Sequence, residues 1–96
     1  ANMAIINKGH VLLCGEPHQL MESIDGKIWS RFVTKPELAH FQQEHAVIST
    51  RLLSGKTLIH VYADLDPGDG FEEIPGDLED VYFATIAGRH VAASNC

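Results

Sequence analysis

Apolar residues recur along the chain at two different spacings, one typical of β-strands and one typical of helices. Together these spacings predict an α+β fold. Short runs rich in β-forming residues at about 4–14 flank Asn7-Lys8-Gly9. They predict a β-hairpin, because the glycine can adopt the positive φ of a tight turn. Pro17 suits the first turn of a helix, where its missing N–H is not needed. The N-terminal part of the chain therefore predicts a hairpin followed by a short helix.

The remainder of the chain predicts a ferredoxin-like β-α-β-β-(β)-α unit. The run at 27–33 is rich in β-forming residues, and Thr34 and Glu37 have the spacing of a capping box that starts a helix. Two further strands meet at Ser54-Gly55, and a brief extended piece follows an acidic loop. Asp77 suits the N-cap of a last helix. The face of this helix predicted to pack on the sheet consists of Leu78, Val81, Tyr82 and Ile86.

Composition and charge indicate a folded domain and argue against one class of partner. Leucine, isoleucine, valine and phenylalanine supply 27 of the 96 residues, above the roughly 20% below which chains tend to stay disordered. Seven Lys and Arg against 13 Asp and Glu give a net charge of −6, and eight of the acids fall between Lys56 and Arg89 with no Lys or Arg among them. Because neutralising phosphates requires a basic surface, a nucleic-acid binder is disfavoured.

Features that bear on location predict a cytoplasmic protein. No run of residues approaches the 18 or more apolar positions that a membrane-spanning helix needs. The first residues lack the basic and then apolar order of a signal peptide. Two cysteines, Cys14 and Cys96, are too few for a disulfide framework. A reducing compartment is therefore expected.

Two loops resemble ligand-binding motifs, and both motifs are incomplete. Ser54-Gly55-Lys56-Thr57 looks like the end of a phosphate-binding loop, but Thr50 stands where that loop needs glycine. A polar hairpin turn is the favoured interpretation. The acidic loop has an EF-hand-like composition, but three required positions hold other residues, which favours a solvated loop. Its crowded acids are Asp64, Asp66 and Asp69.

The histidines do not predict a metal site. None of the six has a partner at the three- or four-residue spacing that places two imidazoles on one helix face. They are His10, His18, His40, His45, His60 and His90. One amphipathic strand face, Leu58, His60 and Tyr62, could meet a partner, although partial cover by helices is favoured. The sequence thus predicts no catalytic, cofactor-binding or metal-binding residue.

Two segments of the chain carry recognisable motifs: Ile5-Ile6-Asn7-Lys8-Gly9-His10-Val11-Leu12-Leu13-Cys14-Gly15-Glu16-Pro17-His18-Gln19-Leu20 and Leu78-Glu79-Asp80-Val81-Tyr82-Phe83. In this order they resemble the end of the ATP-binding subunit of ABC transporters. The second segment resembles the motif that opens the last helix of many such subunits, particularly those of the multidrug and ABC-2 export type, and the first resembles the strand-turn-strand and helix start that close the nucleotide-binding domain. Gly26-Lys27-Ile28-Trp29 between them looks like the start of the family's C-terminal accessory domain.

The resemblance implies a truncated chain without catalytic residues. Residues 4–25 would be the terminal hairpin and helix of the nucleotide-binding domain, and 26–90 the accessory domain. The family's ATP-binding motifs would precede residue 1, so this fragment would not be an enzyme, and ATP and magnesium would be cofactors of the parent alone. Its partners would be the nucleotide-binding domain and the membrane permease, at the inner face of the membrane. Glu16 departs from the family, which commonly has Thr or Ser there as a helix cap.

Other interpretations remain open at this point. A free-standing ferredoxin-like module for ligand sensing or dimerisation is the main alternative, although an isolated hairpin would be marginal in such a protein. A small enzyme would have to use the loop at 64–73. In a truncated chain the hairpin would lack cover. Two outcomes are predicted, a dimer that forms through the hairpin or a hairpin folded back on its own domain. The apolar hairpin residues expected to be uncovered are Ile5, Ile6, Val11, Leu12 and Leu13.

Overall fold

The computed structural model describes residues 2–89 and has the predicted α+β fold with an N-terminal hairpin. The strands form a two-stranded and a four-stranded antiparallel sheet. No helix in the described range is long and apolar enough to cross a membrane. In chain order the elements are β1 (Met3–Asn7), β2 (His10–Gly15), α1 (Pro17–Ser23), β3 (Ile28–Val33), α2 (Lys35–Glu44), β4 (Ala46–Leu53), β5 (Lys56–Tyr62), β6 (Glu72–Glu73) and α3 (Leu78–Ile86).

The chain divides into two compact units. Unit 1 consists of the two flanking segments, described at 2–25 and 76–89, and unit 2 is Gly26–Pro75. The last helix was predicted to belong to a domain at 26–90. In the structure α3 belongs to unit 1 instead, where it contacts β1, β2 and α1.

In unit 1 the hairpin closes with a tight turn. Lys8 and Gly9 both have positive φ, 52° and 78°, as a two-residue type I′ turn requires. Glu16 caps α1, because its carboxylate accepts a hydrogen bond from the Gln19 backbone N–H at 3.0 Å. This helix is therefore capped by a residue that is neither Thr nor Ser.

The buried face of α3 differs from the predicted one. Val81 and Ala84 are fully buried, whereas Tyr82 and Ile86 are 38% and 39% exposed. Asp80 is also buried, and its carboxylate accepts a hydrogen bond from the Asp77 backbone N–H at 3.1 Å. The prediction of a clasp through Tyr82 and Ile86 on the sheet is wrong, since the buried face of α3 runs through these smaller and capping residues.

The hairpin is covered on one side only. Ile5 and Leu13 are buried, so the expectation that they lack cover is wrong, because α3 and α1 share a unit with the hairpin. Ile6, Val11 and Leu12 are 58%, 54% and 44% exposed, in agreement with that expectation.

Unit 2 is built on the four-stranded sheet. Its spatial order, β4-β5-β3-β6, and antiparallel pairing are those of a ferredoxin-like sheet. One helix, α2, joins β3 to β4, and a loop at 63–71 leads from β5 to β6. The buried core residues are Trp29, Val33, Phe41, Ile59, Val61 and Phe71.

Candidate functional site

Arg31 lies at the centre of a cluster of aromatic side chains on unit 2. Its guanidinium carbon lies 4.5 Å from the centre of the Phe41 ring, close enough for a cation–π interaction. His45 stacks on the same ring at a centroid distance of 5.8 Å, and Phe71 meets both rings edge-on at 5.8 and 5.0 Å. We call Arg31, Phe41, His45 and Phe71 the Arg31 cluster.

The Arg31 cluster holds the acidic loop against the sheet. The Asp69 backbone carbonyl accepts a hydrogen bond from Arg31 Nη1, and its carboxylate lies 3.2 Å from His45 Nε2. Asp66 accepts a hydrogen bond from the Gly68 N–H at 2.9 Å, and Asp64 accepts one from Lys27 Nζ at 2.7 Å. Each carboxylate of the loop thus has a different partner.

The separate partners of the acidic-loop carboxylates are relevant to whether this loop could bind calcium. Within the described residues, no group of three or more His, Cys, Asp or Glu side chains could hold a metal ion. Two of the histidines lie beside single carboxylates, His45 at Asp69 and His18 at Glu22, the latter at 3.2 Å. His60 is buried, with 8% of its surface exposed, and His90 lies outside the described residues.

Two charged groups on unit 2 have shifted pKa values. The hydrogen bond to Asp64 raises the pKa of Lys27, because it favours the charged ammonium. The hydrogen bond that Glu37 accepts from the Thr34 backbone N–H lowers the pKa of this glutamate. Both shifts stabilise charge on exposed groups, and neither group lies in a buried site suited to acid–base catalysis.

A groove is lined by residues at 32–37 and at 52–57 of unit 2. Its volume is about 450 Å³, within the size range of small-molecule sites. Phe32 and Leu52 supply exposed apolar walls, and Lys35 and Lys56 supply positive charge. Lys56 Nζ lies 5.8 Å from the centre of the Phe32 ring. We call this the apolar–basic groove; its lining residues are Phe32, Val33, Thr34, Lys35, Glu37, Leu52, Gly55, Lys56 and Thr57.

The Ser54-Gly55-Lys56-Thr57 motif lies at this groove without forming a phosphate cradle. Ser54 and Gly55 have φ values of 52° and 76° and make the turn between β4 and β5, so the predicted hairpin turn is confirmed. Lys56 and Thr57 begin β5 and line the groove.

Sequence reasoning missed both the groove and the Arg31 cluster. Arg31 carried a readable signal, because strand alternation places it on the same face as Trp29 and Val33, both of which belong to the core. A cation on a core face needs a partner such as an aromatic ring. The groove carried no such signal, since the register that pairs Val33 with Thr57 brings distant segments together.

Comparisons of the chain with protein-family models, with curated proteins and with solved structures found no match.

Proposed function

We propose that the chain is a non-catalytic C-terminal part of an ABC transporter ATP-binding subunit, with a regulatory, subunit-contact or stabilising role in ATP-driven export. One observation carries the proposal. The two segments that resemble the family, the hairpin with α1 and the start of α3, belong to the same compact unit although unit 2 separates them in sequence.

The exposed side of the hairpin offers a surface on which a preceding nucleotide-binding domain would pack. Ile6, Val11 and Leu12 present apolar side chains that a preceding nucleotide-binding domain would cover. Unit 2 would be the accessory domain. ATP and magnesium would bind to the upstream part of the parent, which would work with a membrane permease at the cytoplasmic face.

The coding sequence upstream of residue 1 tests the proposal. We expect an in-frame phosphate-loop motif and ATPase activity in the extended chain, with no heat of binding when the present chain is titrated with magnesium and ATP. An upstream reading frame without ATP-binding motifs would overturn the proposal. So would tight ATP binding by the present chain.

The alternative is a ligand-sensing or dimerisation module. The apolar–basic groove favours it, because an apolar wall beside two lysines suits a small organic anion. Small aromatic and aliphatic carboxylates can be screened by their effect on the melting temperature of the chain. Stabilisation that Phe32→Ala abolishes, with no upstream ATP-binding motif, would favour this alternative over the transporter fragment.

A further inference from the structure

We propose that the apolar–basic groove of one chain binds the acidic loop of a second copy, with Leu65 as the inserted side chain. Leu65 is 82% exposed, the largest exposed fraction among the large apolar residues described. Asp64 and Asp66 flank it in sequence, and both are exposed. We call these three residues the Leu65 tip. It presents an apolar side chain between two carboxylates.

The apolar–basic groove is complementary to this tip in polarity and in charge. Phe32 and Leu52, 47% and 72% exposed, offer apolar contact to a leucine. Lys35 and Lys56 line the same groove and offer positive charge to carboxylates. The lining contains one carboxylate, Glu37, so its two lysines leave the groove with a net positive charge.

The carboxylates of the tip keep the capacity to bind lysine. Asp64 pairs with Lys27 and Asp66 caps the Gly68 N–H, but an ionised carboxylate has about four acceptor positions. Since the chain carries a net charge of −6, a groove with two lysines is an uncommon feature of its surface, and an acidic segment is the occupant that charge favours.

The tip and the groove belong to opposite ends of one strand, so the contact must join two molecules. Lys56 begins β5, and the tip follows Tyr62 at its end. Seven residues of strand separate the two ends by about 20 Å, and both lie in unit 2. Each bound pair therefore leaves one free groove and one free tip. Such head-to-tail contacts do not pair a surface with itself, and they extend into chains of molecules.

The contact is small, so we expect it to be weak. One leucine and two carboxylates cover far less than the roughly 1,000 Å² of a stable interface. We expect association at several hundred micromolar chain, on the order of the weakest specific contacts. Added salt should weaken it, because exposed charge pairs are screened. The inference does not depend on the proposed function.

Sedimentation velocity on the full chain tests the contact. Leu65→Ser removes the tip and leaves the groove, and Lys35→Glu with Lys56→Glu reverses the charge of the groove and leaves the tip. Both variants carry Leu12→Ser as well, which changes an exposed apolar residue of the hairpin and weakens association there. In that background we expect each variant alone to be monomeric, with association weakened by about tenfold or more. Mixed together, the two variants should form one-to-one heterodimers and nothing larger, because only one groove and one tip remain. Circular dichroism shows whether each variant is folded. If the double variant does not fold, Lys56→Glu alone replaces it.

The hairpin is a separate surface for self-association, and a matched variant separates the two. Leu12→Ser changes an exposed apolar residue of unit 1 and should leave heterodimer formation intact when placed in both partners. The proposal is overturned if the Leu12→Ser chain, with tip and groove intact, stays monomeric at about 1 mM, since association follows concentration by mass action. It is also overturned if adding Leu65→Ser to the Leu12→Ser chain leaves its association unchanged, or if the mixture stays monomeric while the Leu12→Ser chain associates.

Discussion

Arg31 occupies a strand position on the core face of unit 2, where an apolar residue would be expected. The position is filled without leaving a buried charge unpaired, because the guanidinium lies over Phe41, donates to the Asp69 carbonyl and approaches Glu37. One side chain thus joins β3, α2 and the acidic loop. Its side chain is 28% exposed, so these interactions are only partly screened by water.

We predict that Arg31→Ala destabilises the chain by about 2 kcal/mol, the combined order of a cation–π contact and a hydrogen bond from a charged group. Arg31→Lys should recover only part of the loss, since lysine lacks the planar fork that reaches several partners. Urea denaturation measures both variants against Lys35→Ala, a change at an exposed residue. An Arg31→Ala midpoint equal to that of Lys35→Ala would show that the cluster does not hold the loop.

The lowered pKa of Glu37 predicts that the stability of the folded chain decreases at acidic pH. Its pKa is lowered in the folded chain, first by the hydrogen bond from the Thr34 backbone N–H. Its contribution to stability is therefore present above its unfolded pKa and is lost as pH falls through the folded pKa. The urea midpoint of the parent should fall more steeply than that of Glu37→Gln below about pH 4.3, the ordinary glutamate value. Parallel curves for the two proteins would contradict this prediction.

At the scale of elements, local chemistry identified helix starts better than helix faces. The α2 capping box was predicted from Thr34 and Glu37, and the structure contains both of its hydrogen bonds. The start of α3 at Asp77 was also predicted. Its packing face was not, because burial depends on the neighbours of the helix and the capping carboxylate of Asp80 turns inward. The groove was missed for the same kind of reason, since Lys35 and Lys56 line one groove only because sheet pairing brings their segments together.

The revised face of α3 predicts an order of mutational effects. Val81→Ala removes two methyl groups from a fully buried position and should cost about 1.5 to 3 kcal/mol. Leu78→Ala should cost less than a buried leucine normally does, because Leu78 is only half-buried. Tyr82→Ala, at an exposed position, serves as the control. Urea denaturation decides the order, and a loss for Tyr82→Ala as large as that for Val81→Ala would show that the helix packs through its predicted face.

At the scale of the whole molecule, the hairpin leaves unit 1 with an apolar side. Three of its apolar residues remain exposed after α3 has covered the others. An exposed two-stranded edge is also a template for pairing. We therefore expect this chain, without the domain proposed to precede it, to associate through the hairpin as a dimer.

Ile6→Asp tests this expectation. Ile6 is 58% exposed, so the change should abolish the dimer and remove the concentration dependence that dimerisation gives to the melting temperature. Light scattering on a sizing column gives the mass at high micromolar concentration. A parent that is monomeric there, with a mass and stability that Ile6→Asp leaves unchanged, would show that the hairpin is not a site of association.

The two ends of unit 2 lie side by side. The Ile74 N–H donates to the Ile28 carbonyl at 3.0 Å, and Glu73 pairs with Trp29 across adjacent strands. A domain whose two ends lie side by side can be inserted into another domain without separating the segments that flank it, and such sites tolerate domain insertion. Evolution, or a protein engineer, could therefore replace residues 26–75 with a short linker or with another domain whose ends meet, and the two flanking segments would remain close enough to form unit 1.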